Sequence, residues 1–172
     1  MKVQDYKTIY KKTAKFPTQV DNFGLAYVFL GLLDEFEELL NSLKTDDIDL
    51  IYKEAGDVYW YALGICNEAE LDFDAILNDV TFKLLEDVHD FEDVVPYGVH
   101  GMVKKYYRDN KPLDKIALIK LVYYHLAHTT YLIVNLTKES PYNVVSNIMD
   151  INYKKLTQRL ENDTIHGDGD NR

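Results

Sequence analysis

Helix-breaking residues in this chain fall only between long stretches of apolar periodicity, and that distribution constrains the fold more than any other feature. Just 4 prolines and 8 glycines punctuate 172 residues. Between them, apolar side chains recur every three to four positions, as one face of a helix requires. Residues 2–14 read as a short amphipathic helix, broken at Phe16-Pro17. Residues 20–43 read as a long helix with Leu25, Val28, Phe29, Leu32, Leu33, Phe36, Leu39 and Leu40 along one side. A loop marked by Asp46, Asp47 and Asp49 leads to a second long helix at 50–68, and a third is expected at 72–90. Pro96-Tyr97-Gly98 interrupts the chain. A short basic helix at 99–109 ends at Asn110-Lys111-Pro112, and helices at 114–137 and 141–161 follow. The spacing predicts an all-α helical bundle forming a single domain over 1–172, with a tail at 162–172 whose last six residues have no apolar content.

Composition narrows the function. Hydrophobic residues make up 47% of the chain, enough for a packed core and too many for a disordered segment. The 19 basic and 29 acidic residues give a formal net charge of -10 and a pI near 4.9. Nucleic-acid binders and proteins of anionic membrane surfaces gain affinity by neutralising phosphates with Lys and Arg, so neither class fits. No stretch has the length and apolarity of a transmembrane helix or a signal peptide. Cys66 is the sole cysteine, which excludes an intrachain disulfide framework and suits a reducing cytosol. A cytoplasmic protein is expected.

The chain resembles itself at half its length. DVTFKLL at 79–85 matches DINYKKL at 150–156, an offset of 71 residues, and each follows a long apolar helix. Two copies of a helical unit, 1–93 and 94–161, are expected to pack as a pseudo-dimer.

The chemistry concentrates in the first copy. Glu35 and Glu38 lie three residues apart, as do Glu54 and Asp57, so on helices each pair shares a face. A short loop joins the two helices and makes them antiparallel neighbours, which lets the pairs face each other as a cluster of four carboxylates. Glu37 reads as solvated surface. Glu54 and Asp57 do not, because they sit in EAGDVYWYALGIC among apolar, small and aromatic residues. A helix apolar nearly all round is buried, and buried like charges need a cation to neutralise them. All-oxygen ligands suit Mg²⁺, or Mn²⁺ in its place. Gly56 leaves room for a neighbouring helix or a ligand. Di-iron chemistry normally uses Glu-x-x-His pairs, which this half lacks, whereas Mg²⁺ holding a polyphosphate would supply the positive charge the protein is short of.

GLLDEFEELL (31–40) followed by KEAGDVYWYAL (53–63) resembles the E-x-x-E and E-x-x-D signature of MazG-like all-α nucleoside triphosphate pyrophosphohydrolases, a superfamily that includes the dimeric dUTPases. TAKFP (13–17), KKYYRDNKPLD (104–114), NYKKLTQR (152–159) and the terminal IHGDGDNR also look like family segments. The resemblance implies Mg²⁺ held by Glu35, Glu38, Glu54 and Asp57, with Glu35 or Glu38 also orienting or deprotonating water. It implies cleavage of a nucleoside triphosphate to the monophosphate and pyrophosphate. An aromatic one turn past the last acid, here Tyr61, would contact the nucleoside or simply pack in the core. A non-catalytic nucleotide-sensing or interaction module is the competing expectation, and a homodimer is left open.

The second copy departs from the family pattern. At the offset of 71, Glu54 and Asp57 fall on His125 and His128 in LIKLVYYHLAHTTYL, so no acidic pair recurs. The second unit therefore reads as degenerate, standing where a partner subunit stands in single-copy relatives. His125 and His128 are expected to be buried and hydrogen-bonded, not metal ligands. The basic residues gather in this half. Lys104 and Arg108 on one helix, and Lys155 and Arg159 on another, are candidates for holding substrate phosphates.

Overall fold

A computed structural model of the chain describes residues 1–16, 23–85 and 98–164. The described residues form seven helices and no strands: α1 (Val3–Thr13), α2 (Phe23–Ser42), α3 (Ile48–Glu68), α4 (Phe73–Leu85), α5 (Val99–Asp109), α6 (Lys115–Thr137) and α7 (Pro141–Glu161). The expected all-α bundle is what the chain forms. Pro17, the 86–90 extension of the third long helix, the Pro96-Tyr97 break and the GDGDNR tail lie outside the described residues.

Local chemistry sets the helix ends. The Asp47 carboxylate accepts from the Leu50 amide, so α3 begins two residues earlier than periodicity alone suggests. Asp114 caps α6 by accepting from the Ile116 and Ala117 amides. Ser140 caps α7, with Pro141 in the first turn where its missing N–H costs nothing. Gly98 precedes α5 at φ 80°, a conformation glycine adopts without penalty.

α3 is the axis of the bundle. It is buried on nearly all sides and packs against α1, α2, α6 and α7. Its partnership with α2 is the broadest in the molecule. Small residues bring the two helices close. A side chain at Gly31 would collide with the Tyr61 ring, and one at Gly64 with Val28. Partner numbers fall along α3 as they rise along α2, and the same antiparallel register sets Glu35 level with Asp57 and Glu38 level with Glu54.

α7 crosses α3 on its other side, where a Cβ on Gly56 would lie 2.6 Å from the Cβ of Asn152. α4 packs on α6 and α7, and α1 on α7 and α3. If α3 is matched with α6 and α4 with α7, the contact of α3 with α7 has a counterpart in that of α4 with α6. The long α2 has only a short counterpart, α5, which touches α6 lightly. α5 also meets the first turn of α2, where the Ala26 amide donates to the Tyr107 hydroxyl at 2.8 Å.

Candidate metal centre

The α2–α3 register brings carboxylates from both helices to one place. Carboxylate oxygens of Glu35, Glu38 and Glu54 lie within 4.8 Å of one another, and this is the only such cluster of potential metal ligands among the described residues. Glu54 is buried at 8% exposure, Glu35 is half-buried and Glu38 is exposed. The cluster therefore has a dry floor and a wet mouth. Glu37 points to solvent, as its position on α2 suggests.

The fourth acid is engaged elsewhere. Asp57 Oδ1 accepts from Asn152 Nδ2 at 2.9 Å, and Asp57 Oδ2 accepts from Lys155 Nζ at 2.6 Å. Both donors come from α7, three residues apart on one helical face. This differs from the symmetrical four-acid cluster that spacing suggests. Spacing within α2 and α3 carries no information about α7, and a lysine within reach of a carboxylate in a half-buried site forms a charge-assisted bond. Lys155, expected at the phosphates, thus sits at the edge of the acidic cluster.

Burial and like charge act together on Glu35. Desolvation, then the charges of Asp57, Glu38 and Glu54, push its carboxyl up to about 8, while Lys155 works in the opposite direction. The donors are all hard carboxylate oxygens whose crowding is relieved by positive charge, so this set fits a divalent cation of the Mg²⁺ or Mn²⁺ class.

Behind Asp57 stands a buried polar chain. The Tyr6 hydroxyl on α1 lies 2.9 Å from Asn152 Oδ1 and 3.2 Å from the Gly56 carbonyl, sharing its proton between them. Tyr6 and Asn152 are fully buried. Sequence reasoning missed both. The one signal for Asn152 was a polar residue three before Lys155 inside a repeated segment. Nothing distinguishes Tyr6 from the other tyrosines.

Beside the acids runs an aromatic groove of about 540 Å³, lined by Phe23, Tyr27, Leu30, Gly31, Asp34 and Tyr61. The Tyr27 and Tyr61 rings are 6.0 Å apart, and Phe16 stacks on Tyr27 at 5.1 Å. Burial, a hydrogen bond with Tyr27 and the nearby Glu35 and Asp57 charges hold the Tyr61 phenol well above its usual range, so it stays neutral. Arg159 is half-buried one turn beyond Lys155 on α7. Lys104 and Arg108 are exposed on α5, and Arg108 is paired with its neighbour Asp109.

The two histidines of α6 are packed into the bundle. His125 is buried and its Nδ1 shares a 2.8 Å hydrogen bond with the Leu121 carbonyl, while Phe36 sets its ring edge-on at 4.8 Å. His128 Nδ1 meets the Tyr124 hydroxyl at 3.3 Å.

Fold and site together define an all-helical protein in which carboxylates gather between the two helices of an antiparallel pair. Residues 24–89, a span running from α2 through α4, match the family model of the MazG nucleotide pyrophosphohydrolase domain. The matched span contains Glu35, Glu38, Glu54 and Asp57. Asn152 and Lys155 lie outside it. No curated protein and no solved structure matches the chain. None of the described helices is long and apolar enough to cross a membrane.

Proposed function

We infer that the protein is a Mg²⁺-dependent nucleoside triphosphate pyrophosphohydrolase with a single working site between α2, α3 and α7. The observation that carries this reading is the convergence of Glu35, Glu38 and Glu54 within 4.8 Å, inside the stretch that matches a nucleotide pyrophosphohydrolase family. Those three carboxylates would hold the cation, with Asp57 at their side. When bound, the cation would screen phosphate charge and acidify water.

The chain's own residues then have distinct tasks. Once a cation offsets the like charges around it, Glu35, half-buried at the mouth of the cluster, is a candidate to orient or deprotonate the attacking water, and Glu38, exposed beside it, is the other. The water oxygen joins the α-phosphorus, the α–β bridging bond breaks, and monophosphate and pyrophosphate leave with one proton released. Lys155 neutralises Asp57 at the edge of the cluster and, with Arg159 one turn further along α7, is a candidate to meet the substrate phosphates. Tyr61, with Tyr27, gives the nucleoside an aromatic wall beside the acids. Lys104 and Arg108 on α5 are further candidates for phosphate contact. The reciprocal packing of α3 on α7 and α4 on α6 supports reading 94–161 as a degenerate second copy that takes the place of a partner subunit.

The test is incubation with canonical and modified nucleoside triphosphates plus Mg²⁺, with products separated by chromatography. Monophosphate and pyrophosphate in equal amounts are expected. Orthophosphate as the primary product, in a preparation free of pyrophosphatase, rules out this reaction. No turnover of any nucleotide favours a nucleotide-sensing module.

A further inference from the structure

We propose that Tyr6 is a positioning residue of the acidic site, acting through Asn152 to fix the direction in which Asp57 presents its carboxylate. The proposal rests on the reading of that site as a cation centre.

Asn152 has one accepting and one donating end, and both are spoken for. The Tyr6 hydroxyl meets Oδ1 at 2.9 Å, and Nδ2 donates to Asp57 Oδ1 at 2.9 Å. The reverse orientation would aim the amide oxygen at the carboxylate, acceptor against acceptor. The Gly56 carbonyl, 3.2 Å from the same hydroxyl, holds the tyrosine against the residue that precedes Asp57. Asn152 also lies close against α3, its Cβ occupying the space a side chain at Gly56 would need. With Lys155 on Oδ2, both oxygens of Asp57 are fixed from outside α3. Tyr6 does not belong to the carboxylate cluster. Its influence passes through one amide, in a fully buried setting where water does not replace a lost donor.

The experiment uses the full chain and titrates Mn²⁺ by calorimetry against four forms: wild type, Tyr6→Phe, Asn152→Ala and the double variant. Circular dichroism first establishes a temperature at which each form is folded. Tyr6→Phe is expected to weaken Mn²⁺ binding by about five-fold, the size of one lost buried hydrogen bond. In the Asn152→Ala background the same substitution should change nothing, since the relay is already cut. Tyr59→Phe is the control. It removes another fully buried phenol, 2.6 Å from Thr130 Oγ1, and should lower thermal stability while leaving Mn²⁺ affinity as it was. Wild-type Mn²⁺ affinity in Tyr6→Phe overturns the proposal, as do additive effects in the double variant. Failure of wild type to bind Mn²⁺ overturns the cation centre itself. Binding without nucleotide turnover counts against the enzymatic reading alone, because the binding cycle still decides the role of Tyr6.

Discussion

Glu35 feels the crowding of the site most. Its carboxyl titrates near 8 in the folded protein against an ordinary value of 4.5. A group whose folded value is raised contributes stability that is complete below the unfolded value and lost as pH rises through the folded one. Metal-free protein should therefore lose stability between pH 4.5 and about 8. Glu35→Gln should remove that part of the slope, and saturating Mg²⁺ should flatten it in wild type, as melting curves across this range would record. Equal slopes in wild type and Glu35→Gln would contradict the burial argument. Glu54→Gln should abolish turnover while leaving the metal-free fold as stable or more so, because one of several crowded anions is gone. Full turnover in that variant would remove Glu54 from the site. At this scale the sequence was informative where charge and burial conflict within one helix, as at Glu54. It could not show the conflict at Asp57 resolved by donors nearly a hundred positions away.

The element that decides the site is α3, and its meeting with α7 turns on Gly56. An alanine there places a methyl group 2.6 Å from the Cβ of Asn152, an atom that cannot swing aside without moving α7. Gly56→Ala should cost about 1–3 kcal/mol in chemical denaturation, the usual size of overpacking. It should also weaken Mn²⁺ binding by displacing Asn152 from Asp57. Unchanged stability would mean that the helices part without strain. Helix existence was legible throughout, because long apolar periodicity with few breakers leaves little alternative. The start of α3 was less so, since its cap at Asp47 is one of three closely spaced aspartates, any of which could cap a helix. The α2–α3 pairing followed from the short connection. The role of Gly56 was legible only as room for an unnamed neighbour, since the neighbour is set by tertiary packing.

Across the whole molecule, the two halves contribute unequally. The first supplies the carboxylates, and the second supplies Asn152, Lys155 and the α6 wall carrying His125 and His128. Those histidines face Phe36 and not the acids, so His125→Ala should leave Mg²⁺ affinity unchanged and cost about 1–3 kcal/mol of stability. A loss of Mg²⁺ binding with stability retained would mean that the second half holds a working metal site. Burial lowers both imidazoles' proton affinity. Their stabilising contribution is then present above the unfolded value of 6.5 and lost on acidification, opposite in sign to that of Glu35, so it is read as a difference: below that pH the melting temperature of wild type should lose more, or gain less, than that of His125→Ala.

The sequence by itself determined the helices, the α2–α3 hairpin and the two facing acid pairs, of whose four carboxylates three converge. Each follows from local forces: periodic burial, short loop closure and i,i+3 spacing on one face. Only the tertiary structure decided that α7 would cross α3 at Gly56, that Lys155 and Asn152 would claim both oxygens of Asp57, and that Tyr6 would stand behind them. Those contacts join residues far apart in the chain. Their partners are chosen by which helix faces meet in the packed bundle, and no spacing within a single segment encodes that choice.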